Sequence, residues 1–297
     1  MIIDIHTHCS LKPIWLGYGP TPGEFIRFIT IDELLERMKK ESIDISVVLP
    51  LQSPESSIET VSTRDVLEMH RRYPNKIIPF CNPDPRLYLG NKRALEFILE
   101  EYKKMGCKGV GEVTANIYFD DPRALNLFEI CENLGLPIIF HISPKLNCCY
   151  GLVDELGLPR LEKVLKLFPD LIFIGHSQPF WAEISGDLKP EERNSYPKGK
   201  VVPGGRVVEL LENYPNLYAD LSAGSGYNAI SRDEEFGIWF LEKFQDKLLF
   251  GTDIDFPGQN LPQIPYLRRL HEEGKISDKA YEKIMYRNAK ELLKLNI

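Results

Sequence analysis

The chain has 297 residues, 43% of them apolar, and a net charge of −7 at neutral pH. That composition supplies a large core and excludes a disordered or low-complexity chain, while the acidic balance argues against nucleic acid as a partner. No apolar run approaches the roughly 20 residues that span a bilayer, and the N-terminus lacks a charged, apolar, then small-residue leader, so a cytoplasmic protein free of the membrane is expected. Six cysteines (Cys9, Cys81, Cys107, Cys131, Cys148, Cys149) lack zinc-ribbon spacing and read as reduced thiols.

In chain order, short β-branched runs alternate with helical patterns. Strand Ile2–His6 is followed by helix Ile31–Lys40, strand Ile43–Leu49, helix Ile58–Tyr73 and strand Lys76–Phe80. Then come helix Asn91–Met105, strand Lys108–Val113, helix Pro122–Leu134, strand Pro137–His141, helix Leu158–Phe168 and strand Leu171–His176. Helix Arg206–Tyr214, strand Asn216–Asp220, helix Asp233–Phe244, strand Lys247–Asp253 and helix Asp278–Leu295 complete the series. Gly135 suits the left-handed end of a helix, Pro74, Pro169 and Pro215 stop the helices before them, and Ser277 is an N-cap. Strict alternation predicts parallel strands with right-handed crossovers, closing into one α/β domain over 1–297, a (β/α)8 TIM barrel. An open doubly wound sheet is the competitor, but no Gly-x-Gly-x-x-Gly follows the first strand.

His6 and His8 stand two apart at the end of the first strand, so both imidazoles face one point. Glu112, His141, His176 and Asp253 also fall at strand ends, where barrels carry their chemistry. Nitrogen and oxygen donors without thiolates suit a divalent metal used hydrolytically, Zn2+ first, with Mn2+, iron or nickel also compatible. Such an ion makes hydroxide available at neutral pH and polarises a carbonyl or phosphoryl oxygen. Asp253 can hold the ion and accept the proton of the attacking water.

Asp4-Ile-His6-Thr-His8, Gly109-Val-Gly-Glu112, Leu136-Pro-Ile-Ile-Phe-His141, Gly175-His176-Ser and Leu249-Phe-Gly-Thr-Asp253 together resemble the amidohydrolase superfamily, most closely its amidohydrolase 2 branch. That branch includes decarboxylases related to aminocarboxymuconate semialdehyde decarboxylase and hydrolases of lactones and related esters. The resemblance implies a metal held by His6, His8, His141 and Asp253, with His176 moving a proton or orienting water. Glu112 has two readings. As in TatD-type deoxyribonucleases, it can bridge one ion on His6, His8 and Asp253 to a second on His141 and His176; alternatively it orients a ligand histidine. One or two ions per chain follow.

Three long connections, Cys9–Thr30, Ser143–Leu156 and Ser177–Gly205, are expected to shape a small-molecule site or a subunit interface such as a homodimer's. Trp15, Gln178, Trp181, Ser222 and Tyr227 are the candidate substrate-binding residues; Gln178 and Trp181 match the Gly-His-Ser-Gln-x-Phe-Trp stretch of some amidohydrolase 2 members. Arg193, Arg206 and Arg232 are anion anchors or, as the plainer reading, surface ion-pair residues. The leading functional expectation is a hydrolase of a C–O or C–N bond in a lactone, ester or amide, with metal-activated water as nucleophile and Asp253 and His176 as the catalytic residues. The alternatives are non-oxidative decarboxylation of an unsaturated or aromatic acid at the same metal, then phosphodiester cleavage, and, outside the enzymes, a metal-binding or regulatory barrel.

Overall fold

The computed structural model describes residues 1–19, 23–87 and 91–297. Eight strands make the barrel: β1 (Ile3–Thr7), β2 (Ile45–Val48), β3 (Ile77–Pro79), β4 (Val110–Val113), β5 (Ile138–Ser143), β6 (Phe173–His176), β7 (Leu217–Asp220) and β8 (Leu248–Leu249). β1 to β3 pair in parallel, as do β4 to β8. Two seams close the circle. Cys81 N donates to Gly109 O at 3.0 Å and Gly111 N to Cys81 O at 2.9 Å, joining β3 to β4. Ile5 N donates to Phe250 O at 3.0 Å, and Thr7 bridges Ile254, joining β8 to β1. The expected (β/α)8 barrel is therefore formed.

Strand periodicity sorts the core into two layers. Ile3, Ile5, Ile45, Val47, Leu49, Ile78, Phe80, Ile139, Ile174 and Leu249 fill the barrel, joined by Ala289, Leu293 and Leu295 from the C-terminal segment. Gly109 makes room for Phe80, since a Cβ there would lie 2.4 Å from the ring. Outward residues of the same strands pack under the helices, as Phe140 and Phe173 do against Phe119 and Phe128.

Local chemistry sets the helix ends. Thr30 with Glu33 and Ser62 with Asp65 form capping boxes, Gly135 takes the left-handed end of Pro122–Leu134, and Ser277 caps Asp278–Glu282. Helices end at Tyr73, Phe168 and Tyr214, each before a proline that disfavours helical geometry in the preceding residue.

Several boundaries differ from the sequence reading. The second helix starts at Thr63, not Ile58, because Ile58 N and Glu59 N donate to Leu16 O and Trp15 O of an unpredicted hairpin, Trp15–Tyr18 with Phe25–Arg27. That hairpin lies within the Cys9–Thr30 connection, of which 20–22 fall outside the described residues. Ser222 stands at the N-cap of a helix, Ala223–Ser231, that is absent from the expected elements and contains Tyr227. Gln263–Glu272 is helical although prolines punctuate the stretch, because Pro265 sits in its first turn, where its missing N–H costs nothing. No helix among the described residues is long and apolar enough to cross a membrane.

Arg193 also corrects the sequence reading, because it is neither on the surface nor open to an anion. It is 3% exposed; its Nε donates to Glu183 Oε1 at 2.7 Å and its Nη1 to the Asp154 carbonyl at 2.5 Å. Glu183 Oε2 in turn accepts from Gly157 N at 2.7 Å. The pair fastens the long 177–205 connection to the 151–157 segment. Arg193→Ala would leave a buried carboxylate without its partner, and a loss of about 3–5 kcal/mol of unfolding free energy is expected by urea titration.

Candidate metal centre

β1 carries His6 near its end and His8 just beyond it. Each ring is fixed from behind. His6 Nδ1 donates to Asp220 Oδ2 at 2.6 Å, and His8 Nδ1 donates to the Leu49 carbonyl at 2.8 Å. A neutral imidazole that donates through Nδ1 presents a lone pair at Nε2. These two Nε2 atoms lie 3.0 Å apart, with Asp253 Oδ1 3.4 Å from both. Glu112 Oε2 is 3.8 Å from His6 Nε2 and 3.5 Å from His8 Nε2. With both imidazoles neutral these are four acceptors with no donor among them, a set that a cation satisfies. Donors 2.0–2.1 Å from a tetrahedral zinc stand about 3.3 Å from one another, close to the spacing of this set, so the residues fit such an ion.

A second group of donors lies on the other side of Glu112. Its Oε1 is 2.7 Å from His141 Nδ1 and 3.7 Å from His176 Nε2, and Asp253 Oδ2 is 3.7 Å from His176 Nε2. His176 Nδ1 turns back toward Ser222 Oγ at 3.1 Å and Asp220 Oδ2 at 3.4 Å. The fold thus brings His6, His8, Glu112, His141, His176 and Asp253 together, their ligand atoms forming overlapping trios within 4.8 Å.

The electrostatics favour added positive charge. Burial pushes His8 down, but the Asp253 and Glu112 carboxylates more than offset it and lift its pKa to about 9. Burial likewise opposes charge on His6, and Asp253 and Asp220 override it. Burial pushes the Asp253 and Asp220 carboxyls up, and the histidines, His6 foremost, carry both below the usual carboxylate range. Carboxylates held ionised in a buried pocket suit a divalent ion.

The backbone supports this placement. Asp253 sits at φ 55°, a left-handed geometry that aspartate tolerates better than most residues. Asp253 N donates to His6 O and Gln259 Nε2 to Asp253 O, both at 2.8 Å. Asp4 holds the preceding residue, accepting from Thr252 N at 2.9 Å and Thr252 Oγ1 at 2.6 Å. Gly251 must lack a side chain, since a Cβ would lie 2.6 Å from Asp220 Oδ1 and 2.8 Å from Ser222 Cβ.

Two residues outside the six donors adjoin the site, Asp220, which the sequence reading missed, and Tyr150, which lies on the Ser143–Leu156 connection expected to shape it. Asp220 is fully buried behind His6 and His176, and its signal was its place at the end of a predicted strand. Tyr150 packs its ring 4.4 Å from that of His141. Burial, reinforced by Glu112, Asp253 and Asp255, holds its phenol well above its ordinary value, so it remains a proton donor.

The candidate substrate residues disperse. Ser222 touches His176, as described. Gln178 opens the short helix Gln178–Ala182 and donates to Tyr196 OH at 3.3 Å. Trp181, expected in a pocket wall, is 2% exposed and instead braces the site from behind, its Nε1 donating to the Asp220 carbonyl at 3.0 Å. Trp15 is 53% exposed on the outer hairpin. Tyr227 packs edge-on against Tyr266, centroids 5.5 Å apart.

Solved structures share this architecture. An uncharacterized TIM-barrel protein, Bb4693, from Bordetella bronchiseptica superposes with a TM-score of 0.69 at 20% identity, over 99% of this chain and 98% of its own. 5-Carboxyvanillate decarboxylase LigW from Sphingomonas paucimobilis gives 0.58 at 13% identity, over 99% of each chain. An amidohydrolase from Burkholderia multivorans with bound zinc gives 0.61 at 13%, also over 99% of each. No curated protein matches the sequence. The family description "Amidohydrolase", in its amidohydrolase 2 form, matches residues 3–295. A match over nearly the whole length, on a barrel with histidines and carboxylates gathered at its strand ends, makes this chain a member of the amidohydrolase family.

Proposed function

We propose that the protein is a metal-dependent hydrolase of a C–O or C–N bond in a small organic molecule, such as a lactone, ester or amide, with Glu112 spanning two divalent ions. Glu112 carries this reading: its two oxygens face different histidine pairs, Oε2 toward His6 and His8, Oε1 toward His141 and His176. Glu112 would then be a ligand on both sides, with His6, His8 and Asp253 holding one ion and His141 and His176 the other. When bound there, zinc or a similar ion activates water at neutral pH and polarises the substrate's carbonyl.

The protein's own groups manage position and protons. Asp253, kept ionised, accepts a proton from the attacking water and returns it to the leaving group. Asp220 fixes the tautomer of His6 through its Nδ1 and lies 3.4 Å from the Nδ1 of His176. His176, also held by Ser222, lies 3.7 Å from Asp253 and can share in the proton transfer. Tyr150 supplies an O–H donor beside His141.

The resemblance to a 5-carboxyvanillate decarboxylase favours a second reading, decarboxylation at the same centre with His176 protonating the carbon. Incubating zinc- or manganese-loaded protein with panels of lactones, esters, amides and aromatic acids separates the two. Acid release from neutral substrates is expected; carbon dioxide release from the acids, with no hydrolysis anywhere in the panel, would reject the hydrolase reading.

A further inference from the structure

Beside the metal centre, with Tyr150 as the shared wall, a cavity of about 530 Å³ is lined by Glu55, Arg86, Asn116, Cys148 and Cys149. These residues come from the connections after β2, β3, β4 and β5, on the face that carries the metal site. A cavity so placed is where the unreacted part of a metal-held substrate would rest, and its polarity is decided by Arg86.

Arg86 is not free to receive an anion. Its Nη1 and Nη2 donate to the two Glu55 oxygens at 2.8 Å each, and its Nε and Nη2 donate to Asp84 at 2.9 Å and 2.6 Å. Four bonds to two carboxylates leave one of its five N–H groups. The carboxylates are themselves anchored: Glu55 Oε1 accepts from Asn116 N at 2.6 Å, and Asp84 Oδ2 from Ser53 Oγ at 2.8 Å. Glu55 in the wall and Asp84 buried behind Arg86 together outnumber its one positive charge. The amide of Asn116 is also engaged, with Gly151 O and Asn147 N. A substrate carboxylate entering here would meet the Glu55 carboxylate and a guanidinium already committed to Glu55 and, behind it, to the buried Asp84. What the wall offers is uncharged apart from the one remaining Arg86 N–H: the Tyr150 hydroxyl, the Asn147 side chain and the thiols of Cys148 and Cys149, the latter also bonded to Ser143 Oγ.

Building on the hydrolase reading above, we propose that this cavity seats the non-reacting end of the substrate and selects an uncharged, hydroxyl- or amide-bearing group against a carboxylate. Glu55 and Asp84 are then the specificity-determining residues, acting by holding Arg86 neutralised.

Two probes share a metal-chelating hydroxamate head and differ only in the tail: 4-(hydroxymethyl)benzohydroxamate and 4-carboxybenzohydroxamate. Calorimetry on zinc-loaded protein is expected to find the neutral tail bound about tenfold tighter or more, because like charges disfavour the acid. Glu55→Gln removes one charge from Arg86 and is expected to narrow that ratio by strengthening the acid's binding. Equal or tighter binding of the acid by the wild type overturns the proposal without any variant. So does an unchanged ratio in folded Glu55→Gln protein, or failure of both probes to bind protein that demonstrably holds zinc. Zinc content, measured separately by mass spectrometry, tells such a failure apart from failure of the metal-site reading itself.

Discussion

Asp253→Asn is expected to lower kcat/KM by about 10²–10⁴-fold, the range that one positioned proton-transfer group contributes. Asparagine keeps the size of the side chain and an oxygen that can face His6 and His8, and it tolerates the left-handed backbone at φ 55°. What it loses is the negative charge and the ability to take a proton. The loss should therefore fall on kcat more than on KM, and the acid limb of the pH–rate profile should flatten. Steady-state kinetics across pH, with far-UV circular dichroism to confirm the fold, checks this. Wild-type turnover by the variant would remove Asp253 from the chemistry.

The second large effect is expected from a residue outside the donor set. Asp220→Ala should weaken metal binding by about 10–100-fold, as happens when the acceptor behind a ligand histidine is lost. Asp220 holds the tautomer of His6 at 2.6 Å from its Nδ1, and places negative charge 3.4 Å from the Nδ1 of His176. Its other oxygen accepts from Ser222 N at 2.7 Å, so the variant also strands a buried N–H, at a cost of about 1–3 kcal/mol. Chelator competition reads the metal affinity, and thermal melting of the metal-free protein reads the structural part. A lower melting temperature with unchanged metal affinity would make Asp220 structural only. Asp220→Asn, which keeps one acceptor oxygen, should recover part of the affinity.

The barrel was legible because its buried parallel strands read as apolar runs that end in a polar residue. Ile139 and Leu249, two and four residues before His141 and Asp253, lie in the layer that fills the barrel. Strand-end position found the six candidate ligands, and applied evenly it would also have found Asp220, which ends the predicted strand Asn216–Asp220. Arg193 and Trp181 were beyond this kind of reading. Their burial depends on partners far along the chain, Asp154 for one and Asp220 for the other. The helices Ala223–Ser231 and Gln263–Glu272 escaped because Gly224, Gly226 and Pro265 weaken a helical pattern in the sequence although they sit near a helix start that accepts them.

Glu112 remains the hinge of the functional account, since only its two-sided placement separates a two-ion centre from a one-ion centre with an oriented histidine. Protein reconstituted with zinc, freed of loosely held ions and analysed by inductively coupled plasma mass spectrometry decides it. About two equivalents per chain are expected for the wild type, and about one or fewer for Glu112→Gln. One equivalent in both proteins would contradict the two-ion reading.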